Sequence, residues 1–230
     1  MRKKGFTLTE VLIACGILSM FIGGIIALYS SGSKMSNSAM WLQNVNNQLR
    51  TAARQINTSI NRSSYPSAVV FPKDVIESQE ECFHIKFYKG KLEASKSSNG
   101  KNFLVATEAK PAKTGSGINS KENDHDGELL YHVFSLNSKG ELFYTSFTDT
   151  YKASGFTDKF TKAVPSGTQK HKTILVRDVD SIDCKSRDDK REMSPIEITI
   201  NCVMPKNKAT KRSETAVGTP NVKYKATTTL

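Results

Sequence analysis

Gly5, Phe6, Glu10, four cysteines, four histidines and one acidic stretch are the residues of this 230-residue chain whose types invite chemistry. Glu10 is the least expected of them. It stands in Phe6-Thr7-Leu8-Thr9-Glu10-Val11-Leu12-Ile13-Ala14-Cys15, and between Phe6 and Tyr29 the other residues that break the apolar run are Thr7, Thr9 and Ser19. That span is close to the roughly 20 residues a bilayer-crossing helix needs. A carboxylate on a lone helix in lipid is unfavourable by several kcal/mol, so it calls for a partner and is read first as functional. The plainer alternative is a carboxylate that snorkels to the membrane edge.

The other candidates are weaker. Cys82, Cys184 and Cys202 lie beyond the apolar span, with no Cys-x-x-Cys pair and no Cys/His spacing of a zinc site. Strand alternation puts Cys184 in phase with Val176 and Ile182, and Cys202 in phase with Ile196, Ile198 and Ile200, so both are expected on the core side. A hairpin turning near Asp188-Asp189 holds these two further apart than the roughly 4.4–6.8 Å between Cα atoms that a disulfide allows. A disulfide, if formed, is expected from Cys82 to Cys184 or to Cys202; buried free thiols are the alternative. The acidic stretch Glu122-Asn123-Asp124-His125-Asp126-Gly127-Glu128 alternates oxygen donors, which makes Asp124, Asp126 and Glu128 calcium candidates. Its twelfth position is Val133 instead of a bidentate glutamate, so the EF-hand pattern fails and a solvated acidic turn is the expectation. No metal and no cofactor is expected. His84, His125, His132 and His171 accompany no nucleophile motif, no phosphate-binding loop and no His-Glu-x-x-His pair, so the chain does not read as an enzyme.

The elements that must hold Glu10 begin with a basic leader. Arg2, Lys3 and Lys4 precede the apolar span and Lys34 is the first charge after it, a bias that predicts a cytoplasmic N-terminus and export of everything after Ser30. The run does not stop at a small-residue cleavage site, as a conventional secretory signal does, but continues through Gly16-Ile17-Leu18-Ser19-Met20-Phe21-Ile22. Leu12-Ile13-Ala14-Cys15 is a second alternative, a lipobox whose cleavage would leave an exported lipoprotein starting at Cys15.

A basic leader ending in Gly5 and followed by Phe6-Thr7-Leu8-Thr9-Glu10-Val11-Leu12-Ile13-Ala14 closely resembles the class III signal of type IV prepilins and type II secretion pseudopilins. The resemblance implies that a prepilin peptidase cuts between Gly5 and Phe6 and methylates the new Phe6 amine. It implies that Glu10 pairs with the N-terminal amine of a neighbouring subunit, neutralising both charges inside a fibre. The implied partners are other pilin or pseudopilin subunits, the peptidase, an inner-membrane assembly platform and membrane lipid. One departure stands out: many major pilins have a proline in the membrane helix, whereas this span has only Gly16, Gly23 and Gly24 as flexible positions.

Beyond Ser30-Ser31-Gly32-Ser33, apolar residues recur as Met35, Ala39, Leu42, Val45, Leu49, Ala52, Ile56 and Ile60, a helical period with Asn, Gln, Ser and Arg on the other faces. No break intervenes before Ser63-Ser64-Tyr65-Pro66, so one continuous helix is predicted, with Trp41 an interface or packing aromatic. Strands are predicted around Phe83-Ile85-Phe87, as a hairpin across Asn137-Ser138-Lys139-Gly140, over Thr173–Ile182, over Ile196–Val203 and over Val222–Thr228. The polar stretches 94–126, 149–172 and 205–219 read as loops.

These elements organise the chain as a leader over 1–5, a transmembrane and assembly helix over 6–30, an amphipathic stalk helix over 31–64 and a β-rich exported head over 65–230. The fold class is α+β, a long N-terminal helix packed on an antiparallel sheet, which matches the ladle-shaped pilin fold. The ending, Ile174 to Ile182, a charged turn, then Pro195 to Ile200, looks like the last hairpin of the J-type pseudopilins and related minor pilins. The resulting expectation is a minor structural subunit of a type IV pilus or pseudopilus, first in the cytoplasmic membrane and then in the fibre. The excess of Lys+Arg, 33 against 22 Asp+Glu, adds an alternative in which a basic head binds the DNA of an uptake pilus.

Overall fold

The computed structural model describes residues 7–63, 85–96, 100–111, 127–151, 168–186, 195–205 and 207–220. One helix, α1 (Leu8–Arg62), runs 55 residues, and the chain divides within it into two compact units, Met1–Asn44 and Val45–Leu230. In the first unit the described residues 8–37 are all exposed. In the second, Val45, Leu49, Ala52, Ile56 and Ile60 are buried at steps of three and four, the lower part of the expected stripe.

Among its described residues the second unit holds nine strands in two antiparallel sheets. β1 (Ile85–Phe87), β3 (Lys101–Pro111), β4 (Gly127–Leu136), β5 (Leu142–Tyr151) and β6 (Thr168–Val176) form one, in the order β1-β3-β4-β5-β6. β2 (Gly90–Glu93), β7 (Val179–Ser186), β8 (Ile196–Met204) and β9 (Asn207–Gly218) form the other, in the order β2-β7-β8-β9. This is an α+β, pilin-like arrangement. Three polar bonds tie α1 to the strands and their ends. Gln48 Oε1 accepts from the Arg177 amide at 3.1 Å, Asn61 Oδ1 accepts from the Thr219 amide at 3.1 Å, and the Gln55 side chain bonds Tyr144. Gly218 lies so close that an added Cβ would meet Ile60 at 2.7 Å.

The predicted hairpin is present. Asn137 Oδ1 accepts from the Lys139 and Glu141 amides at 3.0 and 2.9 Å, and Gly140 closes the turn at φ 73°. That left-handed backbone favours glycine, and a Cβ there would also strike the Val179 carbonyl oxygen at 2.6 Å. The contact matters because Val179 begins β7, and its amide donates to the Gly140 carbonyl at 2.9 Å.

Four expectations need correction, the simplest being the loop 149–172, whose two ends belong to β5 and β6. Thr173–Ile182 is not one strand: Asp178 turns the backbone to φ 60°, so β6 ends in the first sheet and β7 starts in the second. The closing hairpin is therefore β7 with β8, and Ile174 belongs elsewhere. Within the expected loop 94–126, β3 pairs with both β1 and β4. A bulge between Asn102 and Leu104 buries the consecutive Phe103 and Leu104, which hides the alternation that marks a strand. Within the expected loop 205–219, β9 pairs along β8 as an edge strand, with Ala216 and Gly218 its buried members. Polar edge strands carry little hydropathy signal because backbone pairing, not apolar burial, recruits them. Of the expected strand near residue 83, Ile85–Phe87 is described; Val222–Thr228 lies outside the described residues.

Candidate functional site

The N-terminal helix owes its start to Thr7 and Glu10. The Glu10 amide donates to Thr7 Oγ1 at 3.3 Å, while Glu10 Oε2 accepts from the Thr7 amide and the Thr7 hydroxyl, both at 2.9 Å. This reciprocal pair is a capping box, with Thr7 at the cap and Glu10 three residues on, and it satisfies two backbone donors that a helix leaves bare. The acid also faces the positive end of the helix dipole. Thr7-Leu8-Thr9-Glu10 displays the capping spacing in sequence, a signal that a purely intramembrane reading of Glu10 overlooks. The cleavage pair Gly5 and Phe6 lies outside the described residues.

Downstream of the cap the helix is apolar on every side. Leu8, Met20, Phe21, Leu28 and Tyr29 are each more than two-thirds exposed, and α1 contains a stretch long and apolar enough to cross a membrane. The helix runs unbroken through Cys15, whose carbonyl accepts the Ser19 hydroxyl at 2.7 Å, and open space surrounds Gly16, Gly23 and Gly24. A surface helix in water keeps its apolar residues on one stripe; one that is apolar all round is made for lipid or for other helices.

Elsewhere the structure separates candidates from bystanders. Cys184 and Cys202 both face the core, as alternation predicts, and are free thiols among the described residues; Cys82, the expected disulfide partner of one of them, lies outside the described residues. Cys184 stands opposite Ile198 and Cys202 opposite Val179, an offset of four strand residues or about 13 Å. Burial pushes each thiol up to about 12, helped by Asp183 at Cys184 and by Asp178 and Asp180 at Cys202. Such thiols are poor nucleophiles at neutral pH. Of the calcium candidates, Asp124 and Asp126 lie outside the described residues, and Glu128 sits half-buried on β4 opposite Lys110 and Thr150. Among the described residues no cluster of three His, Cys, Asp or Glu side chains could hold a metal.

One polar cluster escaped the sequence reading. His132 is buried on β4 with Nδ1 2.7 Å from the Tyr144 hydroxyl and Nε2 3.5 Å from Glu108 Oε2. The Tyr144 ring stacks on it at 5.9 Å and its phenol, raised chiefly by burial, also bonds Gln55 and Ser146. The chain Glu108–His132–Tyr144–Gln55 thus joins three strands to α1 through satisfied polar groups, which specifies how helix and sheet dock. Sequence spacing could not reveal it, because its members come from four elements.

Residues 1–26 match the prokaryotic N-terminal methylation motif. No curated protein and no solved structure matches the chain. The family marked by that motif is structural and not enzymatic, and the motif implies processing by prepilin peptidase and assembly with other pilin subunits. The methylation motif, the capped Glu10 and the all-round apolar helix fall in one segment: the chain begins with a class III signal peptide of the kind that type IV pilins and pseudopilins carry.

Proposed function

We propose that the chain is a minor structural subunit of a type IV pilus or a type II secretion-like pseudopilus. Prepilin peptidase cuts between Gly5 and Phe6 and methylates Phe6; the N-terminus stays cytoplasmic and the β-rich unit is exported. The helix crosses the membrane lipid once, and an inner-membrane platform moves the subunit into the fibre. The observation that carries this reading is the methylation motif over residues 1–26, set on a helix that is exposed throughout residues 8–37.

The capping box sharpens the role of Glu10. Its carboxylate already has partners within one chain, so it is held at the helix start, four residues along the sequence from the amine that cleavage creates at Phe6, before any neighbour arrives. Incorporation then adds the neighbour's amine to a preorganised acceptor. Glutamine keeps the capping oxygen and removes the charge, so Glu10→Gln separates the two roles. Mass spectrometry should find N-methylated Phe6 in wild type, Glu10→Gln and Glu10→Ala when the peptidase is present, and the uncut leader when it is absent. Both variants should be depleted from sheared fibres; normal incorporation of Glu10→Gln would show that capping alone suffices and would remove the charge pair.

A second reading, DNA binding through the basic unit, is favoured by the basic side chains gathered around β9. The lipoprotein reading is set aside, since cleavage before Cys15 would fall inside both the motif and an unbroken helix.

A further inference from the structure

Strand β9 is one edge of the four-stranded sheet, and its residues help to line two grooves. The larger, about 490 Å³, is lined by Lys91, Asp180, Asn201, Lys211, Arg212 and Ser213 among others. The smaller, about 330 Å³, lies between β9 and α1 and is lined by Arg50, Arg54, Asn57, Glu214 and Thr215 among others. Five basic side chains thus line the two grooves, against Asp180 and Glu214. All five are exposed, and among the described residues Arg50, Arg54, Lys211 and Arg212 form no ion pair, whereas Lys91 reaches Glu93 at 3.8 Å.

Lysines on a sheet edge have an ordinary use, which is to block pairing with another edge. That accounts for Lys211 and for the exposed Lys208. It does not account for Arg50 and Arg54, one turn apart on α1, or for Lys91 at the opposite edge of the sheet, three strand spacings or about 14 Å away. Charge, not edge protection, is what these positions share. The grooves also hold Asn and Ser groups that bond phosphate oxygens readily, and among the described residues neither is lined by an aromatic ring on which an unpaired base would stack.

We propose that the two grooves flanking β9 seat backbone phosphates of duplex nucleic acid without reading its sequence. The proposal rests on the second reading above and is independent of assembly through the N-terminal helix. Full-length chain in detergent is titrated with a fluorescent DNA duplex by anisotropy across 50–200 mM salt. Lys211→Gln/Arg212→Gln and Arg50→Gln/Arg54→Gln should each lower the log–log salt slope by about 2 and weaken binding at low salt by about tenfold. Lys139→Gln/Lys172→Gln, exposed bases of the five-stranded sheet and its turn, should change binding less than about twofold. Absent salt-dependent binding in wild type, or equal losses in the control pair, would overturn the site in favour of a diffuse field. Displacement of the duplex by polyglutamate of matched charge as effectively as by unlabelled DNA would overturn it in favour of an acidic protein partner. The groove variants should enter fibres at wild-type levels, so failure of this site and failure of the assembly reading give different results.

Discussion

The two halves of α1 meet the same problem, apolar side chains in one helix, in opposite ways. In residues 45–62 the apolar residues are confined to a stripe, and Leu49, Ala52, Ile56 and Ile60 are fully buried against the rest of the same unit. In residues 8–29 apolar side chains cover every face, and residues 8–37 are all exposed. The first solution is complete within one chain. The second is complete only in lipid or against other chains, because isolated exposed apolar residues are ordinary but a whole apolar cylinder in water is not. The lesson is that burial has to be read per segment: one continuous helix can be a core element at one end and an assembly element at the other.

The comparison predicts unequal responses to equal substitutions. Ile56→Ala should lower unfolding free energy by about 2–5 kcal/mol, whereas Ile17→Ala should leave thermal unfolding of the detergent-solubilised chain unchanged and reduce fibre incorporation. Equal effects on unfolding would break the distinction. Glycines give a second contrast. Gly218→Ala forces a methyl group into Ile60 and should destabilise by about 1–3 kcal/mol, while Gly24→Ala meets open space and should not lower stability in chemical denaturation.

The thiols give a third contrast. Cys184 and Cys202 have their protons held on by burial, so the unfolded chain deprotonates first, near the ordinary value of 9.0, and the folded chain only near about 12. Their contribution is therefore whole below pH 9 and is lost between pH 9 and about 12, by about 1.4 kcal/mol per pH unit for each thiol. Urea unfolding at successive alkaline pH should show that slope, and a Cys184→Ala/Cys202→Ala chain should show a flatter one. Cys15, exposed on the apolar half, should react with a maleimide in detergent without denaturant, and the buried pair only after unfolding. The smallest effect is at the cap: Thr7→Ala should reduce helicity of the N-terminal segment by circular dichroism and weaken it by about 1 kcal/mol, with no change in unfolding of the β-rich unit.

Features that depend on neighbours in sequence were readable in sequence. The leader charges, the apolar span, Glu10, the helical stripe through Ile60 and the Asn137–Gly140 turn are all set by residues within a few positions of one another. The parts that were not readable need distant partners. Lys101–Pro111 is a strand because β1 and β4 flank it, and its bulge erases the period that would have announced it. Asn207–Gly218 looks like a loop until β8 supplies its backbone partners. His132 is unremarkable in sequence and becomes the centre of a polar seam only when Glu108, Tyr144 and Gln55 are brought to it.

By itself the sequence determined the class III signal, the apolar helix and the α+β composition, since cleavage motifs, hydropathy and local period are properties of contiguous residues. Tertiary structure alone decided that the strands divide into two sheets at Asp178, that Cys184 and Cys202 are both buried, and that basic residues from α1, β2 and β9 line two grooves of the same unit. The physical reason is range: a turn or a helix is chosen by energies acting over a few residues, whereas sheet membership, thiol burial and a shared groove depend on which distant backbone and side-chain groups the folded chain sets side by side.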